Sequence, residues 1–545
     1  MALSAFSLRS LMGSPRFARL IIGVFVLALL LAILTPVYSD EIGWRLQERG
    51  WLDGVDKLYS EQCGPSTLAR PLWFMWPVRW YSAFFNTGFP DPFWVRFSGV
   101  LYALGWTGLF LALIRRMAAG AAQHRAVVVI ALGLLGLGTL PLQLVWSRPE
   151  QPILLAALAA MLVAWDGRQR MSWWRPAAII LLSGIALSYH FKALVLVPLF
   201  LACIAPQRSP ALWRLLCAAA LLGLADASAQ YWFARLSCPA DGMLAAQHAQ
   251  QSLHYEGSVV KLALRALAND NLPAYVTLAA PDVTPMSHWL PYHLVTKPEQ
   301  IAWSAAMIAL WFIAFLLAGG ALWRTFRAGG MRAMLDLRVV FALLLFGIAS
   351  AYASVQMVRN CYEAAFVLPL LAMSFACALC AGPSRGPNGA PGVTPRLQTM
   401  AAVTGIAMLL SVVMVGAIYG PSLVRATRAS GYLVEQPLSV PVFHYDRARA
   451  TIRKAAALCG IDPDNHRQRL LIDDATYFAF MQSRLPDHHL SVLDPQWRGA
   501  VTDPLAYLKS QGMDGAVVHC RFLDPATRRH ARASGEVCCL SRAMF

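Results

Sequence analysis

Four short stretches set charge against apolar runs. "TPVYSDEIGW" (35–44) places Asp40 and Glu41 just after a long apolar segment, and "WSRPEQP" (146–152) carries Arg148 and Glu150. "SYHFKALVLVP" (188–198) holds His190 and Lys192, and "QMVRNCYEAAFVLP" (356–369) holds Arg359, Tyr362 and Glu363. A charge at the centre of a membrane-crossing helix costs about 2.5–3.5 kcal/mol on insertion scales and less near its edge, so such residues turn toward a protein interior or a wet cavity. Taken singly, an edge Arg or Lys can snorkel to lipid phosphate, His190 can be an interfacial ring, and Asp40-Glu41 can be ordinary loop acids. Taken together they suit an anionic substrate: a carboxylate takes a proton from a hydroxyl while cations stabilise a departing phosphate.

The elements that would position these residues are membrane helices. The chain has 545 residues, 57% hydrophobic and 14% charged, with a mean hydropathy of +0.50, well beyond an ordinary soluble domain. Apolar windows suggest eleven spans, near 19–37, 96–114, 126–146, 150–165, 175–189, 192–206, 211–227, 301–320, 338–356, 361–381 and 398–419. The first follows Arg9, Arg16 and Arg19 with no small-residue cleavage site after it, which reads as an uncleaved anchor with a cytoplasmic amino terminus. From that start every inside connection carries Arg, as at Arg115-Arg116, Arg175, Arg214, Arg338 and Arg396. The net charge of +17 is therefore mostly topological, and nucleic acid is not implied.

All four charged stretches then fall on the outer face. So do the long segments 38–95 and 227–300 and the tail from about 421, giving a transmembrane catalytic domain over 1–420 and a soluble domain over 421–545. "RPLWFMWPVRWYSAFF" in the first loop mixes aromatic and basic residues as interfacial helices do, and "PSRGPNGAPGVTPR" (383–396) reads as an inside linker. In the tail, "DRARATIRKAAALCG", "RLLID", "PLAYLKSQG" and "GAVVHC" alternate helix and strand patterns, which implies a small α/β unit with a short parallel sheet. Asp473-Asp474 reads as helix capping rather than a site, and no glycine-rich phosphate loop calls for a cofactor.

Cys377 and Cys380 form a CxxC inside an apolar helix, where packing is the simpler reading, and Cys459, Cys520, Cys538 and Cys539 can pair if the tail meets an oxidising compartment. His248, His254, His288 and His293, with Glu256 and Asp282, lack the spacing of a helical zinc site, so a divalent metal is not indicated.

The layout resembles the GT-C glycosyltransferases, polytopic enzymes that use polyprenyl-phosphate sugars and include protein mannosyltransferases and lipid A aminoarabinose transferases. The resemblance lies in "SDEIGW" after the first span, "SRPEQP" after the third, "HFKALVLVP" between the fifth and sixth and "RNCYEAAFVLP" at the tenth, covering most of 18–420. It implies a GT-C-like polytopic fold, which with the apolar windows and the tail's own pattern gives an α-helical membrane protein of about 11 transmembrane helices with a small α/β soluble carboxyl-terminal domain. It also implies an inverting transfer to a lipid, glycan or protein acceptor, with Asp40 as base and Glu41 as the adjacent candidate. Lys192 and Arg359, joined by Arg148 and His190, look like the positions near the donor phosphate, with Glu150, Tyr362 and Glu363 as further candidates. A bacterial inner membrane, worked from the periplasmic side, is the implied setting. The rival from another class is a transporter or flippase of an anionic lipid or solute, although paired internal repeats and midplane charge are not evident in the sequence.

Overall fold

The computed structural model describes residues 14–34, 37–38, 92–167, 174–189, 191–204, 298–355, 361–382, 393–430, 433–435, 443–463, 468, 470–472, 476, 479, 487–489, 503–510 and 512–544. The window 211–227, nearly all of the loops 38–95 and 227–300, residues 383–392 of the linker and Asp473-Asp474 lie outside them.

Helix α1 (Pro15–Leu31) begins cleanly because the Ser14 side chain accepts from the Phe17 amide at 3.2 Å and Pro15 stands at the first helical position. Its buried stripe of Ile21, Phe25, Ala28 and Leu29 faces the bundle. Then follow β1 (Val37–Tyr38), α2 (Pro92–Met117), α3 (Ala121–Leu135), the single turn α4 (Leu140–Gln143), α5 (Glu150–Gly167), α6 (Trp174–Tyr189), a 3₁₀ segment (Phe191–Leu196), α7 (Val197–Ile204), α8 (Pro298–Gly329), α9 (Leu337–Val355), α10 (Cys361–Ala381) and α11 (Pro395–Ser430). Four stretches are long and apolar enough to cross a membrane: Pro15–Leu34, Arg96–Met117, Ala305–Leu335 and Pro395–Ala417, with shorter apolar helices beside them. Helices α9 and α10, α5 and α6, α3 and α11, and α2 and α5 pack pairwise around one continuous apolar core. Leu27, Phe312, Leu316, Trp323 and Val413 remain exposed, as lipid-facing side chains must be in a bundle whose solvent is apolar. Cys377 and Cys380 are buried in α10 as packing residues.

The window 126–146 is not one helix. Gly138 takes φ +60°, its amide donates to Ser411 Oγ in α11 at 2.6 Å, and Pro141 cannot extend the α3 ladder, so the chain breaks and restarts as α4. That break turns residues 144–150 back into the bundle.

Beyond α11 come β2 (Leu433–Glu435), β3 (Phe443–His444), α12 (Tyr445–Leu458), β4 (Leu470–Ile472), β5 (Asp487–His489), α13 (Pro504–Ser510), β6 (Gly515–His519), α14 (Pro525–His530), β7 (Arg532–Ser534) and β8 (Val537–Ser541). The five-stranded sheet, in the order β5-β4-β6-β8-β7, is mixed rather than parallel. Strands β4, β5 and β6 run parallel, while β8 pairs antiparallel to both β6 and β7. A tight turn at Gly535, φ +61°, makes β7 and β8 a hairpin, which a parallel partner would forbid. Neighbouring residues of a strand face opposite sides of a sheet, so the vicinal pair in β8 divides: Cys538 bonds Cys520, while Cys539 bonds Cys459 at the end of α12. A smaller sheet, β1-β2-β3, pairs Val37 with Val434 and so joins the exit of α1 to the exit of α11.

Candidate functional site

Three of the charged residues singled out in the sequence meet. Glu150 stands in the first turn of α5, where a carboxylate is favoured by the helix's amino-terminal amides. Lys192 is the second residue of the 3₁₀ segment after α6, and its Nζ donates to Glu150 Oε1 at 2.6 Å. Arg148, two residues before α5, donates from Nε to Glu150 Oε2 at 3.3 Å. The three are 8, 4 and 8% exposed for Arg148, Glu150 and Lys192, so this is a buried ion triad and not a surface pair. Lys192 also lies 5.9 Å from the ring centroid of Tyr352 in α9, a cation–π contact that adds a third element to its support.

The triad is held by a clamp on α2. Gly99 passes so close to the incoming loop that a Cβ there would lie 1.7 Å from the Val145 carbonyl oxygen and 2.7 Å from its carbon. One residue earlier Ser98 shares a hydroxyl hydrogen bond of 2.8 Å with Ser147. Gln151 Nε2 donates to the Gly99 carbonyl at 3.3 Å and to the Leu144 carbonyl. These contacts fix the main chain on both sides of Arg148. At the same end of the bundle Arg96, wholly buried, donates from Nη1 to the Ala32 carbonyl at 3.3 Å, where α1 finishes.

Arg148 and Glu150 line a cleft together with Leu29, Trp106, Trp146 and Pro369, so charged and apolar side chains share its walls. Trp106 Nε1, Gln143 Oε1 and Gln151 Oε1 are buried around this cleft with no hydrogen-bond partner among the described residues. Both Gln151 donors already serve carbonyls, which fixes its amide orientation and leaves Oε1 as an acceptor. Water or a polar ligand group there would find one donor and two acceptors.

Asp40, Glu41, His190 and Arg359 lie outside the described residues, as do the side chains of Tyr362 and Glu363 in the first turn of α10. Sequence reasoning passed over Arg96, Ser98, Gly99, Ser147 and Gln151. Arg96 had a visible signal, an Arg inside the apolar run "FWVRFSGV", and the small residues Ser98 and Gly99 directly after it mark a close approach.

No protein-family profile and no curated protein sequence matches the chain. Among solved structures it is similar to ArnT from Cupriavidus metallidurans bound to undecaprenyl phosphate, at 11% identity and a TM-score of 0.49 over 96% of this chain and 98% of that one. It is also similar to the archaeal oligosaccharyltransferase AglB from Archaeoglobus fulgidus in complex with an inhibitory peptide and a dolichol-phosphate, at 12% identity and a TM-score of 0.40, covering 92% of this chain and 69% of that one. Both scores fall below 0.5, so the functional reading rests on the chain's own residues.

Proposed function

We propose that this chain is a membrane glycosyltransferase of the GT-C type, moving a sugar from a polyprenyl-monophosphate donor to a hydroxyl or similar nucleophile on an acceptor. The observation that carries the reading is the convergence of Arg148 and Lys192 on the buried carboxylate of Glu150, which with Arg148 lines a cleft of largely apolar walls. A lipid-linked phosphate needs such a place, with cations for the phosphate and apolar walls for the chain that brings it. In the reaction Asp40, assisted by Glu41, removes the acceptor proton as its oxygen attacks the anomeric carbon. The bond from that carbon to the phosphate oxygen breaks with inversion. Lys192, Arg148, Arg359 and His190 stabilise the charge that gathers on the leaving lipid phosphate.

The orientation has support of its own. The pairing of β1 with β2 brings the tail out at the end where α1 finishes, which is also the end of the triad. Two disulfides staple that tail, and such bonds persist in an oxidising compartment. The working end is therefore read as periplasmic, with the membrane unit over 1–420 in a bacterial inner membrane and the amino terminus cytoplasmic.

The test uses membranes containing the full chain, supplied with radiolabelled polyprenyl-phosphate sugars. Wild type transfers label and Asp40→Asn does not. Full transfer by Asp40→Asn removes Asp40 as the base, while no transfer by wild type across a broad donor panel, with lipid or solute movement instead, favours a transporter.

A further inference from the structure

Helix α2 starts at the triad's end, where Arg96 meets the Ala32 carbonyl, and finishes at the opposite edge of the bundle with Arg115 and Arg116 in its last turn. At that edge a groove of about 620 Å³ lies between three helices, lined by Ile22 of α1, by Leu111, Ala112, Arg115 and Arg116 of α2, and by His124 near the start of α3. Its volume falls within the roughly 300–1,000 Å³ of small-ligand sites. The order of residues along α2 divides it by depth. Leu111 and Ala112 stand one turn, about 5–6 Å, nearer the middle of the bundle than Arg115 and Arg116, so apolar side chains come at acyl-chain depth and cations toward the headgroups.

The chain supplies no anion for this groove beyond one that is already engaged. On the spans read from the sequence, the segments at this edge (1–19, 115–125, 166–175, 207–214, 324–338 and 383–396) contain two carboxylates, Asp166 and Asp336, and that count includes the residues outside the described ones. Asp166 pairs with Arg116 and Asp336 with Arg338. Arg115 is exposed and has no ion pair or hydrogen bond from its side chain among the described residues. An edge arginine by itself meets whichever phosphate drifts past. Here side chains of two helices bring cationic and ring N–H donors to one concavity with apolar sides, and the complement of that surface is a molecule with an anionic head and an apolar tail. We propose that the groove binds an anionic phospholipid of the adjoining leaflet, its phosphodiester held by Arg115 with Arg116 and the His124 ring, and the upper part of one acyl chain laid along Ile22, Leu111 and Ala112. The site is at the far end of the bundle from the triad. Its occupant bridges α1, α2 and α3 and takes no part in sugar transfer.

The experiment measures dissociation constants by native mass spectrometry of purified, delipidated full-length protein for palmitoyl-oleoyl phosphatidylglycerol and for phosphatidylcholine of the same chains. Wild type binds phosphatidylglycerol about five-fold or more tightly than phosphatidylcholine, the scale of one cation at a membrane surface. Arg115→Gln, a change at an exposed side chain, removes most of that preference. Arg332→Gln, which takes away another exposed arginine of the same edge outside the groove, leaves it in place. Ala112→Phe fills the apolar part of the groove and weakens both lipids, and glycerol 3-phosphate in large excess displaces neither. A wild type without preference, an unchanged preference in Arg115→Gln, or unchanged affinities in a folded Ala112→Phe overturns the site. Equal losses in Arg115→Gln and Arg332→Gln reduce it to general attraction by a basic edge and overturn it too, and full displacement by glycerol 3-phosphate makes it a site for a soluble anion instead. None of these outcomes bears on the transfer reaction, which fails or stands by the labelled-donor test.

Discussion

The two ends of the helical bundle use cations differently. At the end away from the triad, Arg338 donates from Nη1 to the carbonyls of Cys380 at 2.9 Å and Met117 at 3.4 Å, and from Nη2 to Asp336 Oδ2 at 2.6 Å. Those carbonyls belong to the last turns of α10 and α2, where no helical amide remains to satisfy them, so the guanidinium ties two helix carboxyl termini together. Gln123 serves the Leu379 carbonyl at 2.9 Å in the same way. At the triad's end Arg148 and Lys192 converge on one acceptor, the side-chain carboxylate of Glu150. A carbonyl cannot leave its helix, whereas a carboxylate can rotate away. Arg338 is held by fixed carbonyls as well as by a carboxylate, whereas in the triad two cations converge on one carboxylate, and that difference separates the two ends.

The largest expected effect is at Gly99. In Gly99→Ala the new Cβ meets the Val145 backbone and not a flexible side-chain tip, so the loop that carries Arg148 and Glu150 must move. A displacement of about 1 Å at reacting groups costs about a hundred-fold in rate. Transfer by Gly99→Ala falls at least that far even at matched protein abundance. Gly133→Ala, whose Cβ would crowd Thr404 at 2.9 Å in the packing of α3 on α11, lowers thermal stability and spares the activity of the protein that folds. Equal loss of activity in both would erase the distinction between the ends.

Next comes the direct exchange of cations. Lys192→Met leaves Arg148 to neutralise Glu150, so most of the loss falls on donor use, seen as reduced turnover with labelled donor at near-normal abundance. Arg338→Met takes the guanidinium from two helix-terminal carbonyls and leaves Asp336 with the residue-338 amide, costing about 2 kcal/mol of stability, between the scales for exposed and buried pairs, while the folded fraction keeps its turnover. The paired readout, melting temperature against activity per folded molecule, sorts the two residues to opposite corners.

The disulfides test which compartment the triad's end faces. On the chain-entropy scale the Cys459–Cys539 bond, spanning 80 residues, is worth about 4.5 kcal/mol to the tail, and Cys520–Cys538, spanning 18, about 3 kcal/mol. Cys459→Ser and Cys520→Ser make the tail more sensitive to protease in that order, and in wild type these four cysteines resist a thiol reagent until a reductant is added. Ready labelling of all four without reductant would move the tail, and with it the triad, to the reducing side.

Much of this was legible because charge is expensive beside lipid. Arg148, Glu150 and Lys192 stand out in apolar runs, and the structure brings them together across 42 residues of chain between Glu150 and Lys192. What was hidden depends on contact and not on composition. Gly99 looks like any small residue of a membrane helix until the Val145 carbonyl is placed against it. The break at Gly138 is written as "GLGTLP", yet the hydropathy of that segment is continuous, so a window average runs across it. In the tail the parallel expectation came from helix-strand alternation, which holds for β4 and β6, whereas β8 is reached by a hairpin from β7 whose pairing no local period announces.

The smallest expected effect gives the comparison its lower bound. Arg116 and Asp166 form an ion pair at the end opposite the triad, with side chains 46 and 40% exposed. An exposed pair recovers little Coulomb energy from high-dielectric surroundings, so Asp166→Asn costs about 0–1 kcal/mol and less in higher salt. It also leaves Arg116 free to meet water or a lipid phosphate, whereas removing the carboxylate of Glu150 takes a charged partner from two buried cations at once. If Asp166→Asn lowered the melting temperature as much as Glu150→Gln, burial would not be what separates the two ends. The triad would then be one more ion pair at a membrane edge, with no special claim on a substrate.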